Sequence, residues 1–226
     1  MKHISLIFLT FFSLSAVSQN KNAIHVGITE GVYLQESIFR NLDAYSKTDV
    51  QIGMQFELES STLNAYGIYQ LFGNVNSKEF SNYLFASHLL GVGVEQRISK
   101  TKRVSLFIGA NVLTEIASNF ENGYMHGAYP SYPSFSEVNN FYHSTPFANS
   151  VYLGADVKIY KSLHLNISIE NNFRILKMRS TTLAIEDFDG RTLDEVINDQ
   201  ELKTFVVDKL GLRIGLKYNF SYKNER

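Results

Sequence analysis

The residues Leu210 to Phe220 alternate without error. Leu210, Leu212, Ile214, Leu216, Tyr218 and Phe220 fall on one side; Gly211, Arg213, Gly215, Lys217 and Asn219 fall on the other. A period of two is the signature of a β-strand with one apolar and one polar face. Seven more segments repeat it, at about 23–33, 49–59, 62–73, 82–98, 102–116, 149–160 and 163–175. Val50, Ile52, Met54 and Phe56 oppose Gln51, Gly53 and Gln55, for example, and Leu165, Ile167 and Ile169 oppose Asn166, Ser168 and Glu170. Eight such strands leave one question for the rest of the sequence, whether the apolar faces meet a core or lipid.

The connections answer it. About 34–48, 74–81, 117–148 and 176–203 are longer links, and each alternates with a link of only a few residues, such as Lys161-Ser162. All the longer links therefore fall at one end, as in transmembrane barrels with short turns on one side and long loops on the other. Several segments reach 11 residues or more, enough for the ~9–11 that cross a bilayer at a tilt and beyond the ~5–6 of a soluble strand. Pro130, Pro133 and Pro146 are the only prolines, and all are placed by this reading in the longest link, leaving the ladders uninterrupted.

The polar faces carry Glu57, Glu95, Arg97, Arg103, Asp156, Lys158, Glu170, Arg174, Arg213 and Lys217. Mixed charges of this kind suit a polar lumen in which pairs neutralise each other and would be very costly as a soluble core. The expected fold is thus all-β, an eight-stranded antiparallel up-and-down transmembrane barrel with long extracellular loops. An eight-stranded lumen is only wide enough for side chains to fill it, so a non-conducting interior is expected.

Composition removes other classes. Charged residues make up 19% of the 226, below the ~25% usual in soluble proteins. The net charge is −1, with no basic surface for nucleic acid. The absence of cysteine excludes disulfides, thiolate catalysis and thiol-ligated metals. Lys2 and His3, the apolar run Ile4–Leu14 and the small residues Ala16-Val17-Ser18 predict a signal peptide over 1–18 cleaved before Gln19. The barrel domain is then 19–222, with a polar tail at 223–226.

The closing stretch Gly211–Phe220, GLRIGLKYNF, resembles the C-terminal insertion signal of outer-membrane β-barrels, with Tyr218 and Phe220 at its aromatic end. With the leader and the eight strands, the chain resembles the outer-membrane β-barrel family common in Bacteroidota, the PorT-like and OmpA/OmpX-type small barrels. That resemblance implies insertion by the barrel assembly machinery after periplasmic transit; the barrel itself is expected to be a monomer in contact with outer-membrane lipid and lipopolysaccharide. Six residues follow Phe220, whereas many such barrels end on the aromatic.

Catalytic, cofactor and metal sites are not expected. Ser87 and His88 are consecutive on a strand and face opposite sides. His143-Ser144 falls in a long link, and His164 and Ser168 stand ~13 Å apart on one face. Asp187-Phe188-Asp189-Gly190 starts like a calcium loop but puts Arg191 at the third ligand position. It reads better as a turn followed by a helix to about 202, opened by a capping box of Thr192 and Glu195. Tyr124, Tyr129, Tyr132 and Tyr142, set among Asn, Ser and Gly, suit either recognition of an extracellular protein or glycan or packing over the barrel mouth and in the lipopolysaccharide headgroup belt. The expected role is structural or interactive: surface loops, membrane assembly or adhesion. The alternatives are a passive carrier of small apolar solutes and a lipid A-modifying enzyme.

Overall fold

A computed structural model of the chain describes residues 23–33, 45–58, 61–74, 86–101, 103–118, 123–124, 139–181 and 190–221. The long strands are β1 (Ala23–Tyr33), β2 (Tyr45–Glu57), β3 (Thr62–Asn74), β4 (Ala86–Lys100) and β5 (Val104–Ser118). They continue in β7 (Asn139–Tyr160), β8 (Leu163–Thr181) and β9 (Leu202–Ser221); β6 is the two-residue Gly123–Tyr124. Every pairing is antiparallel. Each long strand bonds to its sequence neighbours, β1 pairs with β9, and β5 pairs with β7 across the short β6. The ring therefore closes with eight staves and no free edge through its body, which satisfies every backbone group there without water.

The two faces sort as the alternation requires. On β9, Ile214 is 55% exposed and Phe220 53%, whereas Arg213 is 3% and Lys217 1%. The same outward row recurs as Ile24, Val26 and Ile28 on β1, Ile52 on β2, Val92 on β4, Ile108 on β5, Leu153 on β7 and Ile169 on β8. An apolar girdle thus encircles a polar interior, the reverse of a soluble domain. Among the described residues no helix is long and apolar enough to cross a membrane; the girdle is built from strands.

Strand limits differ from the sequence reading where the chain leaves the girdle. β2 starts at Tyr45 rather than 49, and β4 spans 86–100 rather than 82–98. β7 starts ten residues early, at Asn139, so Pro146 lies inside a strand. The ladder tolerates it because β7 is bulged there, with register shifts around Ser144 and Phe147, and a bulge frees one residue from donating. The Pro146 carbonyl instead accepts from Thr114 Oγ1 at 2.9 Å. β8 runs on to Thr181 and β9 starts at Leu202, while β9 meets β1 only from Gly211 and β5 meets β7 only up to Ala148. The upper parts of β7, β8 and β9 consequently rise as a sheet beyond the long-loop rim.

Between β8 and β9 lies α1 (Leu193–Asn198). It is shorter than the helix to 202 expected from the sequence, because Thr204-Phe-Val-Val207 is β-branched and aromatic and pairs with β8 instead. The expected capping box is present. The Thr192 amide donates to Glu195 Oε2 at 2.7 Å, its hydroxyl donates to the same oxygen at 3.0 Å, and the Glu195 amide returns to Thr192 Oγ1 at 3.3 Å. The Thr192 backbone amide, then its hydroxyl, hold the Glu195 carboxyl below its ordinary value. A depressed acid contributes above its ordinary pKa and loses that contribution as pH falls through the lowered one. The protection of the Thr192 amide, its exchange corrected for the intrinsic pH dependence, should therefore fall on acidification, and Glu195→Gln should flatten that dependence. An unchanged profile in the variant would remove the capping carboxylate as its source.

Candidate functional site

The interior is organised in levels between the short-turn end and the long-loop end. Toward the long loops, Lys47 of β2 and Arg213 of β9 share the carboxylates Asp49 and Glu170. Lys47 Nζ lies 2.5 Å from Glu170 Oε1 and 3.2 Å from Asp49 Oδ2. Arg213 reaches Asp49 at 3.6 Å, Glu170 at 3.5 Å and Thr29 Oγ1 at 3.2 Å. Gln70 Nε2 donates to the second Asp49 oxygen at 2.7 Å.

Toward the short turns, Lys217 Nζ sits 2.8 and 2.9 Å from the two Glu95 oxygens and 3.3 Å from Asp156 Oδ2. Arg97 Nη2 donates to the same Asp156 oxygen at 3.3 Å. Asn64 donates to Glu95 at 2.9 Å and Asn166 to Asp156 at 2.7 Å. Each cluster matches two cations with two carboxylates and adds neutral donors, the arrangement that makes buried charge tolerable.

An aromatic belt separates them. The Tyr66 and Tyr152 hydroxyls bond to each other across the lumen, Tyr66 also donates to Asn111 Oδ1 at 2.6 Å, and Asn111 donates on to Ser150 at 3.1 Å. Phe107 meets Tyr152 edge-on with centroids 6.0 Å apart. Arg213 lies over the Tyr152 ring and Lys217 over the Phe107 ring, 4.5 and 5.0 Å from the centroids, cation–π contacts that tie the belt to both clusters. Glycine makes the belt possible: a Cβ at Gly93 would enter the Tyr66 ring, and one at Gly109 the Tyr152 ring. At the long-loop side the wall turns apolar, where Ile68, Phe72, Leu89, Leu113, Ala148, Leu176 and Met178 pack together.

Of the ten charges assigned to the lumen from sequence, Glu95, Arg97, Asp156, Glu170, Arg174, Arg213 and Lys217 are buried inside. Glu57, Arg103 and Lys158 are exposed instead. They have inward parity but sit at strand ends on the short-turn rim, where the inner face opens to solvent. Sequence reading missed Lys47 and Asp49, which complete the upper cluster. The available signal was the parity of Gln51: extending its strand backward by two and four residues brings both onto the inner face.

The weighed catalytic combinations are not assembled. Ser87 points inward and donates to Glu115, while His88 meets the Tyr69 hydroxyl at 2.5 Å on the other face. His143 accepts from Arg179 at 3.4 Å in an exposed position. His164 and Ser168 line one wall, and the neighbouring Glu170 is engaged by Lys47 and Arg213. Among the described residues no group of three or more His, Asp or Glu could hold a metal ion; Asp187 and Asp189 lie outside them. Of the tyrosines proposed for recognition, Tyr129 and Tyr132 lie outside the described residues; Tyr124 pairs with Phe141 and Tyr142 with Gly123 through the backbone. The leader 1–18 and the tail 223–226 also lie outside the described residues. The Tyr218 and Phe220 rings are exposed on the girdle, with centroids 4.6 Å apart.

No family model matches the sequence, and no curated protein matches it. Among solved structures, Neisserial surface protein A is similar over 88% of this chain and 97% of its own, at 10% identity and a TM-score of 0.47. The outer membrane protein OprG from Pseudomonas aeruginosa covers 91% and 98%, at 11% identity and 0.44. A de novo designed transmembrane β-barrel covers 90% and 99%, at 11% identity and 0.36.

Proposed function

We propose that the protein is a monomeric integral outer-membrane barrel with a closed lumen, exported through a cleaved leader, whose role is structural or interactive rather than catalytic. The observation that carries this reading is the paired, belted interior inside an apolar girdle: charges that would line a pore are spent on one another, and Tyr66 and Tyr152 bridge the gap between the clusters. The girdle supports a bilayer around it, and the aromatic close of β9 supports insertion by the barrel assembly machinery. Interaction would then fall to the long-loop end, where the raised sheet of β7, β8 and β9 stands clear of the girdle.

Planar-bilayer recording tests the closed lumen. The native barrel should give no resolved conductance steps at either polarity, whereas Tyr66→Ala/Tyr152→Ala, which removes both bridging rings, should give measurable ones. Steps from the native protein would overturn the reading; a silent double variant would show that the belt is not what closes it. Recovery of surface partners after deletion of 125–138 tests the interactive role, and undiminished recovery would count against it. The apolar group around Phe72 and Met178 favours one second reading, a passive carrier of small apolar solutes. Uptake of such a solute into barrel-bearing liposomes above the lipid background would favour it over the first.

A further inference from the structure

The turn between β4 and β5 and the turn between β7 and β8 lie side by side at the short-turn end, because β5 pairs with β7. Together they carry Lys100, Lys102, Arg103, Lys158 and Lys161, and residues 99–105 and 157–163 contain no Asp or Glu. Two of these cations face each other. The register sets Val104 against Val157, and one step further the Lys158 amide donates to the Arg103 carbonyl at 2.7 Å. Arg103 and Lys158 are therefore opposite one another on the last rung, where like charges cost stability. Lys161 follows in the turn with φ 42°, a left-handed position that ordinarily favours Gly or Asn.

Arg103, Lys158 and Lys161 are exposed, and among the described residues none of the three is in an ion pair. Asp156, two residues before Lys158, is buried and already held by Arg97 and Lys217. Glu57, the exposed rim carboxylate among the described residues, ends β2, with β3 and β4 between it and Arg103. The apolar girdle reaches this same edge. Ile98, Leu106, Ile159 and Tyr160 are exposed beside the cations, Tyr160 by 62%, and Lys161 Nζ lies 5.1 Å from the Tyr160 ring centroid. The last rung has no wall below it. The long stems of Arg103 and Lys158 can therefore rest on apolar surface and carry their charges to the level of lipid headgroups.

We infer that Arg103, Lys158 and Lys161 form a docking site for the phosphate of an anionic phospholipid in the leaflet the short turns face, its acyl chains lying along Ile159 and Leu106. The inference rests on the membrane-barrel reading above. A phosphate between Arg103 and Lys158 offsets their repulsion and accepts hydrogen bonds from both. Basic clusters of about four to eight Lys and Arg at a membrane edge recognise anionic lipid by this chemistry. The chain has no tryptophan, so Tyr160→Trp supplies a reporter beside the site and Met54→Trp one on β2, across the barrel. Each is folded into bilayers of phosphatidylcholine and phosphatidylglycerol at one fixed ratio, with either lipid brominated high on its acyl chains. At low salt phosphatidylglycerol should be enriched about five-fold at the Tyr160→Trp reporter, the factor one nearby cation supplies at an anionic surface, and should not be enriched at the Met54→Trp reporter. Adding Arg103→Gln/Lys158→Gln should remove most of the enrichment. If that variant does not fold, salt decides: about 1 M, where screening acts within ~3 Å, should remove the enrichment from the chain that keeps its cations. Equal quenching by the two lipids at the Tyr160→Trp reporter would overturn the site and leave the membrane reading intact. Equal enrichment at both reporters, or enrichment that survives the double substitution or the salt, would also overturn it. Quenching by neither lipid at either reporter would overturn the membrane reading and the site with it.

Discussion

Gly109→Val should fail to reach the native barrel. Its side chain would have to occupy the space of the Tyr152 ring, and at this level the lumen is spanned wall to wall by Tyr66, Tyr152 and Phe107. Overpacked cores typically lose about 1–3 kcal/mol when neighbours can shift. Here Tyr152 is held by Tyr66 on one side and by the Arg213 cation on its face, so the loss should reach or exceed that range. The readout is gel migration without heating, where the native barrel should run faster than its heated form and the variant should run as the heated form does. Gly109→Val/Tyr152→Ala should regain the fast-migrating band, because the truncated ring vacates the space the valine needs. A single variant that folds as the native chain does would place Tyr152 elsewhere.

The second large effect lies one level up. Glu170→Gln should destabilise the barrel by about 3–5 kcal/mol, the usual cost of removing one member of a buried ion cluster. The reason is what remains: of the described carboxylates that Lys47 and Arg213 share, both cations being buried, Asp49 would be left. Replacing the pair together, as Lys47→Met/Glu170→Leu, leaves Arg213 with Asp49 and should recover most of the loss, since a buried pair often exchanges for apolar residues at little cost. Urea or heat unfolding in the same detergent measures both. Losses that simply add in the double variant would contradict a shared cluster.

The architecture was legible because β-strand alternation is local information. Leu212, Ile214 and Leu216 against Arg213 and Lys217 declare two faces whatever the rest of the chain does, and eight such segments with alternating link lengths leave few closures other than a barrel. Strand ends were less legible because they depend on partners. The start of β7 at Asn139 is held by pairing with β8 up to Thr181, and a proline at 146 argued against a strand until the bulge excused it. The lumen site was half legible. Parity identifies which charges point inward but not whether the wall encloses them at that height, so Glu57, Arg103 and Lys158 shared parity with the network and ended at the rim. The aromatic belt was not legible at all. It depends on Gly93 and Gly109 lying beside Tyr66 and Tyr152 on other strands, a relation set by register across the barrel rather than by any stretch of sequence.

The central claim is that the apolar face of each strand meets lipid. The chain contains no tryptophan, so single Trp substitutions on the outward row of β9, at Leu210, Leu212, Ile214, Leu216, Tyr218 and Phe220, report without background. In bilayers made with lipids brominated near the acyl-chain ends, quenching should peak at the central positions, Ile214 and Leu216, and fall toward both ends of the row. Quenching that is absent or uniform along β9 would contradict a membrane-spanning barrel.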